Sequence, residues 1–209
     1  MFENVIDFKL KGTIDGLLKC ESTPREAYEN ILKLSGDEIF LDLGAYNGDT
    51  VREFLENTNG QYQKIYAVEP DRKNYKKLVL NTKDLHDCVC INSAISNCTQ
   101  KVFFDAKNGR NSTVSTSGKE IDAICVDDIL CGQPVSYIKM DVEGQEGAAI
   151  DGAIQTIKNN KPKMLISCYH RAQDLFDIPE RVLSIRDDYK VYMRHYPYIP
   201  AWDTSFYFV

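Results

Sequence analysis

From Ile39 onward the hydrophobic positions fall into short, nearly unbroken runs, and between most of these runs apolar residues recur every three or four positions. Runs of the first kind predict β-strands buried on both faces, and stretches of the second kind predict amphipathic helices. The expected strands are IFLDLG, KIYAVEP, CVCINSAIS, VSYIKMD and PKMLISCYH. A helix from Asp49 buries Val51, Phe54 and Leu55 and stops at Asn59-Gly60, and another from about Asp71 turns Tyr75, Leu78 and Val79 inward. After VSYIKMD, one helix places Ala149, Ile150, Ala153, Ile154 and Ile157 on one face and is ended by Asn159, Asn160 and Pro162. Strands alternating with helices imply right-handed crossovers, hence an α/β, Rossmann-like fold with a mostly parallel sheet and helices on both faces.

One stretch precedes this rhythm and two break it. Residues 12 to 34 give two short helical patterns, the second opening at Thr23 with Pro24 in the first helical position. Residues 1–36 are thus read as a helical segment ahead of a core at 37–209, the whole forming one domain. Residues 101 to 119, KVFFDAKNGRNSTVSTSGK, set strand-like apolar residues around a polar loop. That composition fits a hairpin or a flap at Lys107–Ser117 beside a ligand, with a disordered connector as the alternative. The end, YKVYMRHYPYIPAWDTSFYFV, holds two strand patterns joined by a Pro-rich turn with no helix between, so the last two strands are expected to be antiparallel.

Composition narrows the classes. A chain of 209 residues with 43% hydrophobic positions suits one domain with a substantial core. A net charge of −6 and a pI near 5.2 disfavour a broad basic footprint, so no nucleic-acid partner is expected. No apolar run approaches the roughly 20 residues a bilayer needs, and the start lacks a leader pattern. The seven cysteines include no C-x-x-C pair and read as reduced thiols, with Cys88 and Cys90 sharing one sheet face in the core. These features describe a soluble, cytoplasmic protein without a membrane span; its oligomeric state is left open.

The chemistry concentrates at strand ends. In FLDLGAYNGDT, an apolar run ends in Asp42, a loop of Gly44, Ala45, Tyr46, Asn47 and Gly48 follows, and Asp49 with Thr50 opens a helix. Glycines there let a backbone approach a ligand where a Cβ would clash. In YAVEPD, Glu69 ends the next strand, where a carboxylate takes both hydroxyls of a ribose, with Pro70 and Asp71 beside it. Together they point to an adenosine-containing ligand. Asn92, Ser93 and Ala94 end the third strand and offer hydrogen bonds to an adenine ring, turn formation being the plainer alternative.

These motifs, with YIKMDVEGQEGAAIDGA and the closing RHY and WDTSFYF stretches, resemble the FkbM-type class I methyltransferases over roughly Asp37 to Val209. The glycine loop alone is weakly specific, whereas K-x-D-x-E-G-x-E at Lys139 to Glu146 is much more so. The resemblance implies S-adenosylmethionine as donor, S-adenosylhomocysteine as product, a seven-stranded sheet with an antiparallel last strand, and a saccharide or other small-molecule acceptor. Asp42 would then lie near the donor's methionine part, and Asp141 near its methyl. Where many relatives carry a carboxylate at the fifth strand end, this chain has Ser167 and Cys168.

Methyl transfer from a sulfonium asks for alignment and removal of the acceptor's proton. Asp141 is the first candidate for positioning or deprotonating a hydroxyl, and Lys139, two residues before it on the same strand face, is expected to pair with it. Glu143 and Glu146 open the next helix, where Glu146 is read as structural. His170 follows the fifth strand as a candidate base, and His195 with Arg194 is a second one. Trp202 and Tyr198 suit stacking on a sugar or simple loop anchoring. No dedicated metal-ligand spacing is present, although Asp141 and His170 leave a divalent ion open. An NAD-dependent oxidoreductase is the rival on this fold class, but Gly44 and Gly48 do not give G-x-G-x-x-G. A cofactor-binding partner module without turnover is the other.

Overall fold

The structure is a computed structural model that describes residues 1–105, 113–115, 119–197 and 202–209. The chain begins with helices α1 (Phe2–Lys11), α2 (Asp15–Leu18) and α3 (Pro24–Ala27), the last running into a π-helical turn at Tyr28–Leu32. Thr23 caps α3 by accepting the Glu26 N–H at 3.2 Å, and Pro24 supplies the first helical residue. Helix α1 lies ahead of the helical patterns read at residues 12 to 34, and it stops at Gly12, whose φ is 71°.

The alternating unit follows as β1 (Ile39–Leu43), α4 (Asp49–Asn57), β2 (Lys64–Val68), α5 (Arg72–Thr82) and β3 (Cys88–Ile91). Next come β4 (Ala94–Ile95), β5 (Gln100–Asp105), β6 (Thr113–Ser115), β7 (Lys119–Ile124) and α6 (Val126–Leu130). The chain closes with β8 (Tyr137–Met140), α7 (Glu146–Asp151), α8 (Ile154–Asn160), β9 (Lys163–Ser167), α9 (Asp174–Ile185), β10 (Val191–His195) and β11 (Thr204–Phe208). Seven strands form one sheet in the order β10-β11-β9-β8-β1-β2-β3. Neighbours from β9 to β3 are parallel, and β11 runs antiparallel to both β9 and β10. This is a Rossmann-like α/β fold, a mostly parallel sheet with antiparallel pairing at its end.

Strand alternation sorts the core into two layers. Leu41, Leu43, Val68, Ile138, Met140 and Ile166 pack with Ala149, Ile150, Ile157, Leu175 and Val182 of α7 to α9 on one face. Phe40, Ile65, Ala67, Tyr137 and Tyr207 pack with Tyr28, Leu32, Val51, Phe54 and Leu78 on the other. There Phe40 stacks against both Phe54 and Tyr137, with ring centroids 4.5 and 4.8 Å away, and those two rings lie 6.3 Å from each other, tying α4 to β1 and β8.

Several elements differ from the sequence expectation. CVCINSAIS is broken at Asn92-Ser93, so that β3 edges the main sheet while β4 joins a four-stranded sheet of order β4-β7-β5-β6. The Asn92 amide donates to the carbonyls of Glu69 and Pro70, and the Ser93 hydroxyl donates to that of Asp122, which turns the chain from one sheet to the other. Cys88 and Cys90 share one face of this edge strand, half-buried and packed against the core, and all seven cysteines are free. Residues 101 to 119 contribute antiparallel strands, while most of the Lys107–Ser117 segment read as a flap lies outside the described residues. The single helix expected after β8 is two, because the Asp127 carboxylate accepts the N–H groups of Gln155 and Thr156 and starts α8 afresh. Ile154 at that start is 40% exposed, and Val79 is 41% exposed, so neither belongs to the inward faces assigned to them. Trp202 is 56% exposed, and Tyr198 lies outside the described residues.

Candidate active site

The carboxyl ends of the parallel strands gather the charged residues of the motifs, as open α/β sheets do with their ligand sites. After β1, Gly44 and Ala45 both donate to the Val68 carbonyl at 3.0 Å, and Gly48 closes the loop onto the Ala45 carbonyl at 2.8 Å. Gly44 (φ 88°), Tyr46 (φ 47°) and Gly48 (φ 88°) are left-handed. A Cβ on Gly44 would sit 1.9 Å from the Asp141 carbonyl oxygen, so the close approach this glycine permits is to the chain's own backbone after β8. Asn47 accepts the Asp49 N–H through its side chain and the Asn81 amide through its carbonyl, and the Asp49 carboxylate accepts the Thr50 N–H.

Glu69, 6% exposed, clamps this loop to the one after β2. Its carboxylate accepts the N–H of Tyr46 and the N–H of Asp71, each at 2.9 Å. Burial nevertheless pushes its pKa up to about 7 against those two bonds. Asp71 caps α5 through the N–H groups of Lys73 and Asn74. Asn92 and Ser93 spend the hydrogen bonds described above on the turn between the two sheets, and Ala94 is buried in β4.

Asp42 stands opposite Lys139 in the β1–β8 register. It is wholly buried, and among the described residues no donor meets either carboxylate oxygen in good hydrogen-bond geometry, although the Thr50 side chain lies near enough to favour its ionised form. Burial raises its pKa to about 7, opposed by Lys139. Lys139 Nζ is 3.6 Å from Asp141 Oδ2, the ion pair expected from their spacing. Burial alone would lower the Lys139 pKa, but the surrounding Asp141, Asp42, Asp49 and Glu53 hold it above its ordinary value. Asp141 is the mirror case: burial pushes its pKa up, yet Lys139, His170 and the Tyr169 hydroxyl, donating at 3.2 Å, hold it below the usual carboxylate range.

His170 meets Asp141 from β9. Its Nδ1 is 2.9 Å from Glu146 Oε1, and its Nε2 is 3.5 Å from both Asp141 Oδ1 and Glu143 Oε2. Burial lowers its pKa, but Glu146 first and then Asp141 and Glu143 raise it above 6.5 overall. The carboxylate missing from Ser167 and Cys168 is thus supplied by Glu146, fully buried at the start of α7 and also accepting the Val142 N–H. The sequence pattern gives Glu146 as a structural helix-start acid and does not single out Tyr169. The alternation Leu165, Ser167, Tyr169 along one strand face was the available signal for the tyrosine.

His195 is not brought into this cluster. It is 2% exposed on edge strand β10, its Nδ1 bonds Thr204 Oγ1 at 3.0 Å, its carbonyl accepts the Ser22 N–H, and burial lowers its pKa. Arg194 extends to Glu26 instead. The placement corrects the expected pairing of both residues with the site mouth: they tie β10 to the N-terminal segment.

Fold and site together define a class I methyltransferase-like protein. Residues 42–198 match the methyltransferase FkbM domain, and the chain belongs to the FkbM methyltransferase family. It is 30% identical to the crystal structure of methyltransferase FkbM from Methylobacillus flagellatus KT, with a TM-score of 0.84, covering 99% of this chain and 53% of that one. The chain therefore spans about half the length of that relative. More distant likenesses, which concern the fold alone, include a putative methyltransferase from Streptococcus mutans in complex with SAH (11% identity, TM-score 0.56, covering 90% and 99%). Another is an rRNA methylase from Streptococcus thermophilus (14% identity, TM-score 0.55, covering 90% and 95%). No curated protein matches the chain. Among the described residues no helix is long and apolar enough to cross a membrane.

Proposed function

We propose that this chain transfers the methyl group of S-adenosylmethionine to a hydroxyl oxygen of a saccharide or other small natural product. The observation that carries the reading is the convergence, at one edge of the sheet, of the Gly44–Gly48 loop, the buried Glu69 that braces it, and the Asp141–His170 pair in the segments that follow the adjacent strands β8 and β9. Glu69 retains acceptor capacity for a ribose hydroxyl, since its two oxygens offer about four lone pairs and take the N–H groups of Tyr46 and Asp71 and the Asn74 side chain. Asp49 and Asp141, joined by Asp42 as it ionises above about pH 7, make the loop edge negative, which suits a donor carrying a sulfonium and an ammonium. Asp42, being wholly buried, acts from beneath and not by touching the donor.

The acceptor oxygen attacks the methyl carbon, the carbon–sulfur bond breaks, its electron pair stays on sulfur to give the thioether of S-adenosylhomocysteine, and the hydroxyl proton leaves to the protein. Asp141, held ionised by Lys139, and His170, aligned by Glu146, are the groups placed to orient the hydroxyl and take that proton. The acidic composition favours a small acceptor over a nucleic acid; the rRNA methylase shares the fold at 14% identity, and its substrate stays its own. The reading is tested by His170→Ala on the true acceptor: turnover is expected to fall by roughly 10²-fold or more, with S-adenosylhomocysteine affinity within about threefold. Near-normal turnover would remove His170 from the reaction.

A further inference from the structure

The His170 cluster contains polar atoms that no protein group satisfies. Among the described residues, His170 Nε2 and Glu146 Oε2 have no hydrogen-bond partner, although the two side chains are 10% and 0% exposed. Orphaned atoms in so enclosed a place normally find a water or an ion. His170 Nε2 is aimed between Asp141 Oδ1 and Glu143 Oε2, 3.5 Å from each. That is too long for a good hydrogen bond. It is close to the separation, about 3.4 Å, between two ligands that sit about 2.1 Å from one tetrahedral ion.

The opposite side of the ring supplies the other half of the argument. Nδ1 is bonded to Glu146 Oε1, and that oxygen is itself fixed by the Val142 N–H at 3.0 Å. A carboxylate on one imidazole nitrogen holds the proton there, orients the ring, and leaves the lone pair of the other nitrogen facing outward, as metal-ligating histidines require. Glu143 is turned toward Nε2 from a left-handed residue (φ 53°) followed by Gly144 (φ 87°). Ligand-capable atoms of Asp141, Glu146 and His170 all lie within 4.8 Å of one another, so three carboxylates with Glu143 surround one imidazole.

We infer that His170 Nε2, Asp141 Oδ1 and Glu143 Oε2 bind one divalent first-row ion such as Mn²⁺ or Zn²⁺, with Glu146 holding the imidazole in place. An imidazole ligand disfavours Ca²⁺ and Mg²⁺, which take oxygen donors. At the end of β8 such an ion meets the acceptor hydroxyl and lowers its pKa; with Nε2 on the ion and Nδ1 on Glu146, His170 then acts on the hydroxyl through the ion, and the cluster's carboxylates take the proton. This role rests on the methyl-transfer reading; the binding itself does not.

The test is calorimetric titration of chelator-stripped, dialysed protein with MnCl₂, and separately ZnCl₂, alongside electron paramagnetic resonance of the Mn²⁺. One ion per chain is expected, with His170→Ala and the half-exposed Glu143→Gln each weakening it by about tenfold or more. Both variants should keep S-adenosylhomocysteine affinity within about threefold, which shows that they fold. No uptake at millimolar metal by protein that binds S-adenosylhomocysteine overturns the metal site and leaves the methyltransferase reading intact. Uptake that both variants retain unchanged overturns it too. Metal uptake as expected without S-adenosylhomocysteine binding supports the site and counts against the methyltransferase reading.

Discussion

The Glu69 carboxylate accepts two backbone N–H groups, yet burial raises its pKa from 4.5 to about 7. Between those two values the folded chain binds more protons than the unfolded one, so this residue's contribution to stability falls as pH rises through that window. In the proposed complex the ribose hydroxyls would donate to the ionised form, and their binding would draw the pKa down again. Affinity for S-adenosylhomocysteine, followed by calorimetry, should therefore rise from about pH 6 to about pH 8, by at most about tenfold per unit, and then level off. Glu69→Gln should flatten that profile, and Glu69→Ala should weaken binding by about 1.5–3 kcal/mol. A profile unchanged by Glu69→Gln would take Glu69 out of the site.

Among the elements, the β1 loop depends on backbone contact more than on any side chain. In Gly44→Ala the new Cβ meets the Asp141 carbonyl oxygen at 1.9 Å in a residue with φ of 88°, whereas at Gly60 (φ 73°) it meets nothing within 4 Å. Gly60→Ala should cost only the left-handed backbone strain, about 1–3 kcal/mol, while Gly44→Ala should cost more and also weaken S-adenosylhomocysteine binding. Equal losses in denaturant unfolding would show that the contact with Asp141 relaxes freely. Phe54→Ala, which empties the stack on Phe40 and Tyr137, should cost about 3–5 kcal/mol in the same assay. What the sequence made legible divides along the same line. The β1–loop–α4 unit, the Thr23 cap and the Lys139–Asp141 pair are set by residues close together in the chain, where periodicity and spacing act directly. The break between α7 and α8 is made by Asp127, and the split of β3 from β4 by Asp122, each from a distant element. The Glu146–His170 bond likewise crosses from the start of α7 to the end of β9, so no local pattern announces it.

At the scale of the whole molecule, the site is an agreement among strands far apart in sequence: the Gly44–Gly48 loop follows β1, Glu69 follows β2, and Asp141 follows β8, three neighbours in the sheet. A donor lying across all three strand ends, as proposed, would bind the folded chain and find nothing comparable in the unfolded one. Linkage then fixes the size of the effect. Ligand at a hundred times its Kd adds about 2.7 kcal/mol to stability. In a chain of this length each kcal/mol moves Tm by about 2–4 °C, so saturating S-adenosylhomocysteine should raise Tm by about 5–10 °C. NAD should leave it unmoved, because the four-residue spacing of Gly44 and Gly48 is not the dinucleotide turn. Stabilisation by NAD with none by S-adenosylhomocysteine would reverse the choice of cofactor. Stabilisation by S-adenosylhomocysteine that survives Glu69→Ala undiminished would keep the donor but move its ribose away from β2.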